Sequence, residues 1–278
     1  MTASFPSVSI LGLGIIGIEW AKNLAADGVP LKTWNRTPKP EAPGFTADAA
    51  DAVHGAELIV IVVADPPAVE QVLARILPAL RPGQIVAQAS TVSAAWNLAF
   101  AAQVEKTGAK FLEIPFTGSK PAAVARQTVF YVGGDEEISA RAEPVLARIS
   151  QTRIHIGPLG SAASLKLAMN MNIAMVLEGL CESLTFARAA GIPDAKYFEA
   201  LKVNAARSPM ADLKEPKLRA NDYAPQFSLK HMDKDLRLAL ESAGGLALPQ
   251  LRALKAQYDA GMAKGLGDED FSVLMKLL

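Results

Sequence analysis

The apolar run Val8–Leu11 passes directly into Gly12-Leu13-Gly14-Ile15-Ile16-Gly17, and from Ile15 the apolar spacing is helical as far as Ala26. A chain that leaves a strand and enters a helix within so few residues has little choice of turn. The first glycine permits the tight bend, the second lets the backbone approach a bulky ligand, and the third lets the helix lie close on the strand. The helix N-terminus then offers unpaired N–H groups and a partial positive charge, which suit a phosphate. A glycine pattern alone is a modest signal, because a ligand-free turn can carry it. At the head of a βαβ unit it predicts a dinucleotide site built from Gly12, Leu13, Gly14, Ile15, Ile16 and Gly17.

The following residues supply that context. Strand-like runs at 31–34, 58–63, 85–89, 111–114, 129–132 and 153–156 alternate with helical segments at 68–77, 94–106 and 136–149. Most of the runs are continuously apolar, as in strands covered on both faces. The expected fold is therefore α/β, with an N-terminal Rossmann-type doubly wound, mostly parallel sheet over residues 1–157. At Gly157-Pro158-Leu159-Gly160 the pattern breaks, and an all-α C-terminal domain is expected over 158–278. It is led by one long helix from Ser161 to Ala190, apolar nearly all round and so expected to be buried on most sides. Shorter helices are expected at 195–204, 229–242, 249–264 and 272–278.

Composition narrows the function classes. Lys plus Arg and Asp plus Glu are equal at 28 each, so no electrostatic argument favours nucleic acid or an anionic membrane. The strand-like run Leu58–Ala64 is far short of the roughly 20 residues that span a bilayer. The N-terminal stretch lacks a basic n-region, and the single cysteine, Cys181, excludes an internal disulfide. A cytoplasmic protein is expected, with Cys181 as a small core residue.

The end of the second strand selects the cofactor. An Asp or Glu there would hold a ribose 2′-hydroxyl, as NAD requires. The chain has Asn35-Arg36-Thr37 instead, and a guanidinium with amide and hydroxyl neighbours suits a 2′-phosphate. NADP(H) is therefore expected over NAD(H), the alternative being a solvated surface arginine.

Lys166 is the formally charged residue that stands alone between Arg153 and Glu178, in the first turns of the long helix, with Asn170 at i+4 on the same face. An amine in an apolar wall loses affinity for its proton and becomes a usable proton donor near working pH. Asn170 can orient that amine or hydrogen-bond a substrate; on spacing alone, a lysine snorkelling to the surface is as good a reading. After the strand at 111–114, Pro115–Lys120 offers backbone N–H groups at Gly118 and Ser119, hydroxyls at Thr117 and Ser119, and the Lys120 cation. Such a segment can grip a carboxylate, or be no more than a polar turn. His231–Leu236 opens a late helix with mixed charges and reads by itself as a solvated face. His54, His155 and His231 show no metal-ligand spacing, and no metal is expected. No G-x-S-x-G elbow or P-loop is visible.

Taken in order along the chain, the Gly12–Gly17 turn, Pro115–Ser119, Gly157–Asn170 with its Lys-x-x-x-Asn, and Lys234-Asp235-Leu236 resemble the β-hydroxyacid dehydrogenase family. Gly118-Ser119-Lys120-Pro121, Phe227–His231 and Gly265–Phe271 are most similar to its glyoxylate and succinic semialdehyde reductase branch. The resemblance implies Lys166 as general acid in the reduction of a carbonyl and Asn170 as its partner or the substrate's. It implies Thr117, Gly118 and Ser119 around a substrate carboxylate, and Thr91 near both nicotinamide and substrate. Ala64 and Asp65 would pass beside the cofactor, and Lys234 would reach its nicotinamide end. The implied substrate is a small carboxylate-bearing aldehyde or hydroxy acid. The long apolar helix suggests a homodimer or homotetramer.

The chain departs from the family pattern at Thr117, where serine is usual, and at Phe116, where a small aliphatic is usual. Both are expected to narrow the substrate pocket. An imine reductase or a non-catalytic NADPH-binding scaffold remains as an alternative, the lysine arguing against each.

Overall fold

The computed structural model describes residues 6–278 and divides into two compact units, one ending at Lys166 and the other beginning at Leu167. The first unit is a sheet of eight strands: β1 (Val8–Leu11), β2 (Leu31–Trp34), β3 (Leu58–Ile61), β4 (Ile85–Gln88), β5 (Lys110–Glu113), β6 (Phe116–Thr117), β7 (Val129–Gly133) and β8 (Thr152–Gly157). Their spatial order is β2-β1-β3-β4-β5-β7-β6, with β8 parallel beside β7. The five strands from β2 to β5 are parallel, and β7 runs antiparallel to β5 and β6.

Helices α1 (Gly17–Ala26), α2 (Ala49–Val53), α3 (Pro66–Ile76), α4 (Ala94–Glu105), α5 (Lys120–Val124) and α6 (Glu136–Ile149) connect the strands. Two apolar cores result. Ile10, Trp20, Leu24, Val60, Phe130 and Val145 belong to one, and Leu11, Ile59, Ile61, Val72, Phe100 and Phe111 to the other. Successive residues of β1 and β3 go to opposite cores, which is why those strands read as unbroken apolar runs rather than alternations.

Helix α7 (Ser161–Ala189) begins in the first unit and continues into the second, as a single element of 29 residues or about 44 Å. The second unit then holds α8 (Asp194–Leu201), α9 (Pro209–Ala220), α10 (Leu229–Ser242), α11 (Pro249–Ala263) and a closing 3₁₀ segment, Phe271–Leu277. Leu177, Cys181, Leu184, Phe198, Leu236 and Tyr258 are among its core residues. Burial pushes the Cys181 thiol up to about 12, consistent with an inert core residue.

Two expectations are corrected here. Helix α7, expected to be buried on most sides, is buried by this chain along one stripe. A stripe through Ala163, Lys166, Asn170, Ala174, Leu177, Cys181 and Leu184 is buried, whereas Asn172, Gly179, Glu182 and Phe186 are exposed, Phe186 at 78%. Met169, Met171, Ile173, Met175 and Val176 between them are apolar but only half-covered. The second correction is α9, which the sequence pattern does not announce. Its inward positions are Ala211, Lys214 and Leu218, so a lysine interrupts the apolar period. Lys214 is 1% exposed and pairs with Asp270 at 2.7 Å, and Asp270 also accepts from the backbone of Gln226 at 2.9 Å and the Ser272 hydroxyl at 2.7 Å. Desolvation lowers the Lys214 pKa, and the Asp270 contact opposes that.

Candidate active site

Strand order reverses at β1, with β2 on one side and β3 on the other. Loops leaving the carboxyl ends of β1 and β3 therefore diverge, and a crevice opens where doubly wound sheets take their ligands. Gly12 to Gly17 lies at this point. Gly12 has φ +111°, and a Cβ there would stand 2.9 Å from Val63 Cγ1 and collide with the Val62 carbonyl. A Cβ on Gly17 would stand 2.9 Å from Val62 Cγ1 and collide with the Gly12 carbonyl oxygen. Gly14 differs, since a Cβ on it would meet nothing within 4 Å.

The chain's own packing thus explains the outer two glycines but not the middle one. A ligand brought against the backbone at Gly14 would explain it. Next to it Ile15 is 61% exposed. Helix α1 has no side-chain cap at Ile16, whereas Asp48, Asp65, Ser93 and Asp135 cap α2, α3, α4 and α6. The Ile18, Glu19 and Trp20 N–H groups bond back to the Gly14 and Ile16 carbonyls, so the part that fits a pyrophosphate is the backbone just before them, uncapped by any side chain and at the positive end of the helix.

The loop after β2 is tied to this turn. Asn35 Oδ1 accepts from the Leu13 N–H at 2.8 Å while its Nδ2 donates to the Thr37 carbonyl at 2.8 Å. Asn35 therefore fastens one loop to the other. Arg36 and Thr37 are exposed at the open end of this arrangement. Lys39 Nζ donates to the Leu13 carbonyl at 2.7 Å, which puts a second cation beside the glycine turn. Sequence reasoning passed over Lys39, although a cation three residues beyond Arg36 was the available signal.

A chain of buried polar groups runs from β3 to α7. The Val63 N–H donates to Ser90 Oγ at 2.8 Å, and the Ser90 N–H donates to Gln88 Oε1. Gln88 Nε2 donates to Asn97 Oδ1 at 2.9 Å, and Asn97 Nδ2 donates to Glu113 Oε2 at 2.6 Å. Glu113 Oε1 then accepts from the backbone N–H groups of Ala162 at 2.7 Å and Ala163 at 3.3 Å, in the first turn of α7. Gln88, Asn97 and Glu113 are each fully buried, at 0% exposure. Burial raises the Glu113 carboxyl above its ordinary range, against the lowering effect of Asn97 and the α7 N–H groups. Thr91 directly follows Ser90 at the end of β4, and Lys166 lies one helical turn beyond Ala162, 8% exposed.

Ala64 and Asp65 follow β3, and Asp65 caps α3 by accepting from the Ala68 N–H at 2.9 Å. The segment read as a carboxylate-gripping loop or a polar turn after β5 is partly a strand. Phe116 and Thr117 pair with Phe130 and Val129, Gly118 has φ +125°, and Ser119 leads into α5. Phe116 does not simply jut into the segment's open side. Its ring packs 4.9 Å from Trp20 and 6.3 Å from Phe130, so its influence on Thr117 runs through the seating of β6. Lys120 lies 3.9 Å from Glu19.

In the second unit Asn170 and Lys234 converge on Asp235. Asn170 Nδ2 donates to Asp235 Oδ2 at 2.6 Å, and Lys234 Nζ lies 2.8 Å from Oδ1, a contact of charges rather than an aligned hydrogen bond. Asp235 is 2% exposed and was legible only as the middle of a motif. Among the described residues no cluster of His, Cys, Asp or Glu could hold a metal ion, and no helix is long and apolar enough to cross a membrane.

Comparison with known proteins finds matches to both parts of the chain. Residues 7–157 match the NAD-binding domain of 6-phosphogluconate dehydrogenase, and residues 160–278 match the NAD-binding domain of NADP-dependent 3-hydroxyisobutyrate dehydrogenase. Glyoxylate/succinic semialdehyde reductase 2 of Arabidopsis thaliana is 29% identical over 98% of this chain and 79% of its own length. The mouse cytokine-like nuclear factor N-PAC is 26% identical over 99% of this chain, which spans 52% of that protein. The structure of Mycobacterium tuberculosis 3-hydroxyisobutyrate dehydrogenase with L-serine superposes with a TM-score of 0.90 at 25% identity, covering 98% of this chain and 99% of that one. The chain belongs to the β-hydroxyacid dehydrogenase family. Within it, the protein is an NAD(P)-dependent oxidoreductase acting on CH–OH groups.

Proposed function

We propose that the protein uses NADPH to reduce the carbonyl of a small aldehydo- or keto-acid, of the glyoxylate or succinic semialdehyde type, to the hydroxy acid. Gly12, Leu13, Gly14, Ile15, Ile16 and Gly17 hold the pyrophosphate, and the bare flank of Gly14 supports that placement. Arg36 and Thr37, with Asn35 fastening their loop and Lys39 close by, take the 2′-phosphate. Two exposed donors with no carboxylate between them favour NADPH over NADH. Ala64, Asp65, Thr91 and Lys234 complete the cofactor's surroundings. NADPH, when bound, supplies the hydride.

The chain's own groups handle the rest. Thr117, Gly118 and Ser119 receive the substrate carboxylate through hydroxyl and backbone N–H donors. The positive φ of Gly118 turns the backbone there in a way a side chain would resist. As the carbonyl oxygen gains negative charge, the Lys166 ammonium donates to it and then gives up its proton. General acid catalysis of this kind is worth ~100- to 10,000-fold. Asn170, fixed by Asp235, orients the substrate or the Lys166 amine.

The observation that carries the reading is Lys166, a buried lysine on the helix whose first turn is pinned to β5 through Glu113. Comparison supports the substrate class, since the related structure was solved with L-serine, itself a small hydroxy acid. The assay is NADPH oxidation at ~340 nm with glyoxylate, succinic semialdehyde, methylmalonate semialdehyde and tartronate semialdehyde, with NADH in parallel. Consumption with one of them and preference for NADPH is expected. Tight NADPH binding without turnover of any would transfer the protein to a non-catalytic role. Copies associate through the helical unit as a homodimer, or as a tetramer of two such pairs, in a reducing cytoplasm that suits the free Cys181. Light scattering that gives a monomer mass at micromolar concentration contradicts this.

A further inference from the structure

The polar chain that ends on Glu113 has more order than a helix cap needs. Capping α7 calls for one acceptor near its first turn, and a serine or aspartate at the cap position would supply it. Here the acceptor comes from another strand, 49 residues away in sequence, and is itself held by a buried amide. Each amide in the series has one permitted orientation. Asn97 must turn Nδ2 to Glu113, because its Oδ1 is taken by Gln88 Nε2. Gln88 must turn Oε1 to the Ser90 N–H, because its Nε2 serves Asn97 and the Ser90 carbonyl at 3.0 Å. Ser90 in turn accepts from Val63, next to Ala64 at the end of β3. Space enforces the arrangement as well, since a Cβ on Gly133 would stand 2.7 Å from Glu113 Cγ.

We infer that Glu113 is a positioning residue for the proposed reaction: with Asn97, Gln88 and Ser90 it locks the first turn of α7 to the cofactor-side ends of β3 and β4, and thereby sets where the Lys166 ammonium stands. The inference rests on the reading of Lys166 as the proton donor. The link is geometric. Ala162 and Lys166 are i and i+4 on α7, so the bond from Glu113 to Ala162 fixes the axial height and rotation of the turn that carries Lys166. A displacement of about 1 Å at a reacting group costs on the order of 100-fold in rate, so small freedom in this turn is costly to turnover.

Glu113→Gln tests the lock at one point. The new amide keeps one acceptor, so its NH₂ must face either Asn97 Nδ2 or the α7 N–H groups, donor against donor. Turning Asn97 to relieve this breaks its bond to Gln88, and the misfit passes along the series. The exchange variant Glu113→Gln with Asn97→Asp restores every donor–acceptor pair and keeps one carboxylate in the network. Expected for Glu113→Gln are a kcat lower by about 10- to 100-fold and an NADPH Kd within about threefold of wild type. Amide hydrogen exchange at 161–166 in the NADPH-bound protein should be about 10-fold faster, and the exchange variant should recover both rate and protection.

Hydrogen exchange reads the lock without any turnover, so it stands even where the substrate assignment fails. Measured beside Lys166→Ala, the outcomes separate. Lys166→Ala inactive with Glu113→Gln at wild-type kcat and only a lower melting temperature makes Glu113 a stabilising cap and overturns the inference. Lys166→Ala retaining its rate overturns the proton-donor reading and the inference with it. Should Glu113→Gln not fold, the exchange variant decides alone. Folded protein with kcat within about threefold of wild type is expected, and a loss beyond about 20-fold overturns the inference.

Discussion

Replacing each of the three glycines of the first turn by alanine should have separable effects, because the structure gives each a different neighbourhood. At Gly12 the added Cβ meets the Val62 backbone and Val63 Cγ1 at 2.9 Å, on a residue with φ +111°. Positive φ costs a non-glycine residue about 1–3 kcal/mol and overpacking a further ~1–3 kcal/mol, so about 2–6 kcal/mol of stability is lost. At roughly 2–4 °C per kcal/mol that lowers the melting temperature by about 4–24 °C. Gly17→Ala drives a Cβ into the Gly12 carbonyl without the positive-φ cost, so the overpacking part alone, about 1–3 kcal/mol, is expected. Gly14→Ala should lose no stability, because its Cβ meets no protein atom within 4 Å. Less backbone freedom in the unfolded chain even favours the folded state, by up to about 1 kcal/mol. NADPH, however, must come against that position, and a methyl in the way should weaken binding by about 10- to 100-fold, or ~1.4–2.7 kcal/mol. The assay pairs thermal unfolding of the unliganded variants with a fluorescence titration of NADPH. Gly14→Ala with wild-type affinity, or Gly12→Ala with wild-type stability, would refute the reasoning.

Two further outcomes are expected. Arg36→Ala should weaken NADPH by about 10- to 100-fold, the worth of charge-assisted hydrogen bonds, and leave NADH within about twofold. An equal loss for both cofactors would remove Arg36 from the 2′-phosphate. Burial, helped by the nearby Glu182, raises the Glu178 carboxyl from its ordinary 4.5 to about 7. The folded state therefore holds its proton longer than the unfolded state, so stability falls as pH rises through that interval and the full penalty stands above about 7. Solvent screening reduces the penalty to about 1–2 kcal/mol, so Glu178→Gln should melt higher than wild type at pH ~8 and alike at pH ~4. An equal difference at both pH values would contradict this.

Much of the fold was open to reading because its signals are local. Val8–Leu11 and Leu31–Trp34 coincide with β1 and β2, and 136–149 and 229–242 with α6 and α10, since apolar period and flanking breakers lie within the same few residues. The glycine turn was legible for the same reason. Where the signal depends on distant partners it fades. Helix α9 hides behind Lys214, a charged residue that becomes an inward position only because Asp270, far along the chain, neutralises it. Strand β6 is two residues long and exists by pairing with β7, while α2 and α5 are too short to show a period.

The site divides similarly. Lys166 stood out because it interrupts an apolar helix, and Arg36 because it replaces an expected carboxylate. Glu113, Asn97 and Gln88 are each unremarkable in the sequence and acquire their roles only as one hydrogen-bonded series across β4, α4, β5 and α7. Asp235 became specific once Asn170 and Lys234 were seen to meet on it. The half-covered flank of α7, where its composition suggests burial on most sides, shows that an apolar helix states a demand for cover without stating which chain meets it.

The central claim is that Lys166 delivers the proton in an NADPH-dependent reduction. The direct test is the single-turnover rate of Lys166→Ala, with whichever aldehydo-acid the wild type reduces, alongside its NADPH Kd. The account predicts a rate at least about 100-fold lower with a Kd within about threefold of wild type. A variant that keeps more than about a tenth of the rate, or that loses NADPH binding in proportion to rate, contradicts it.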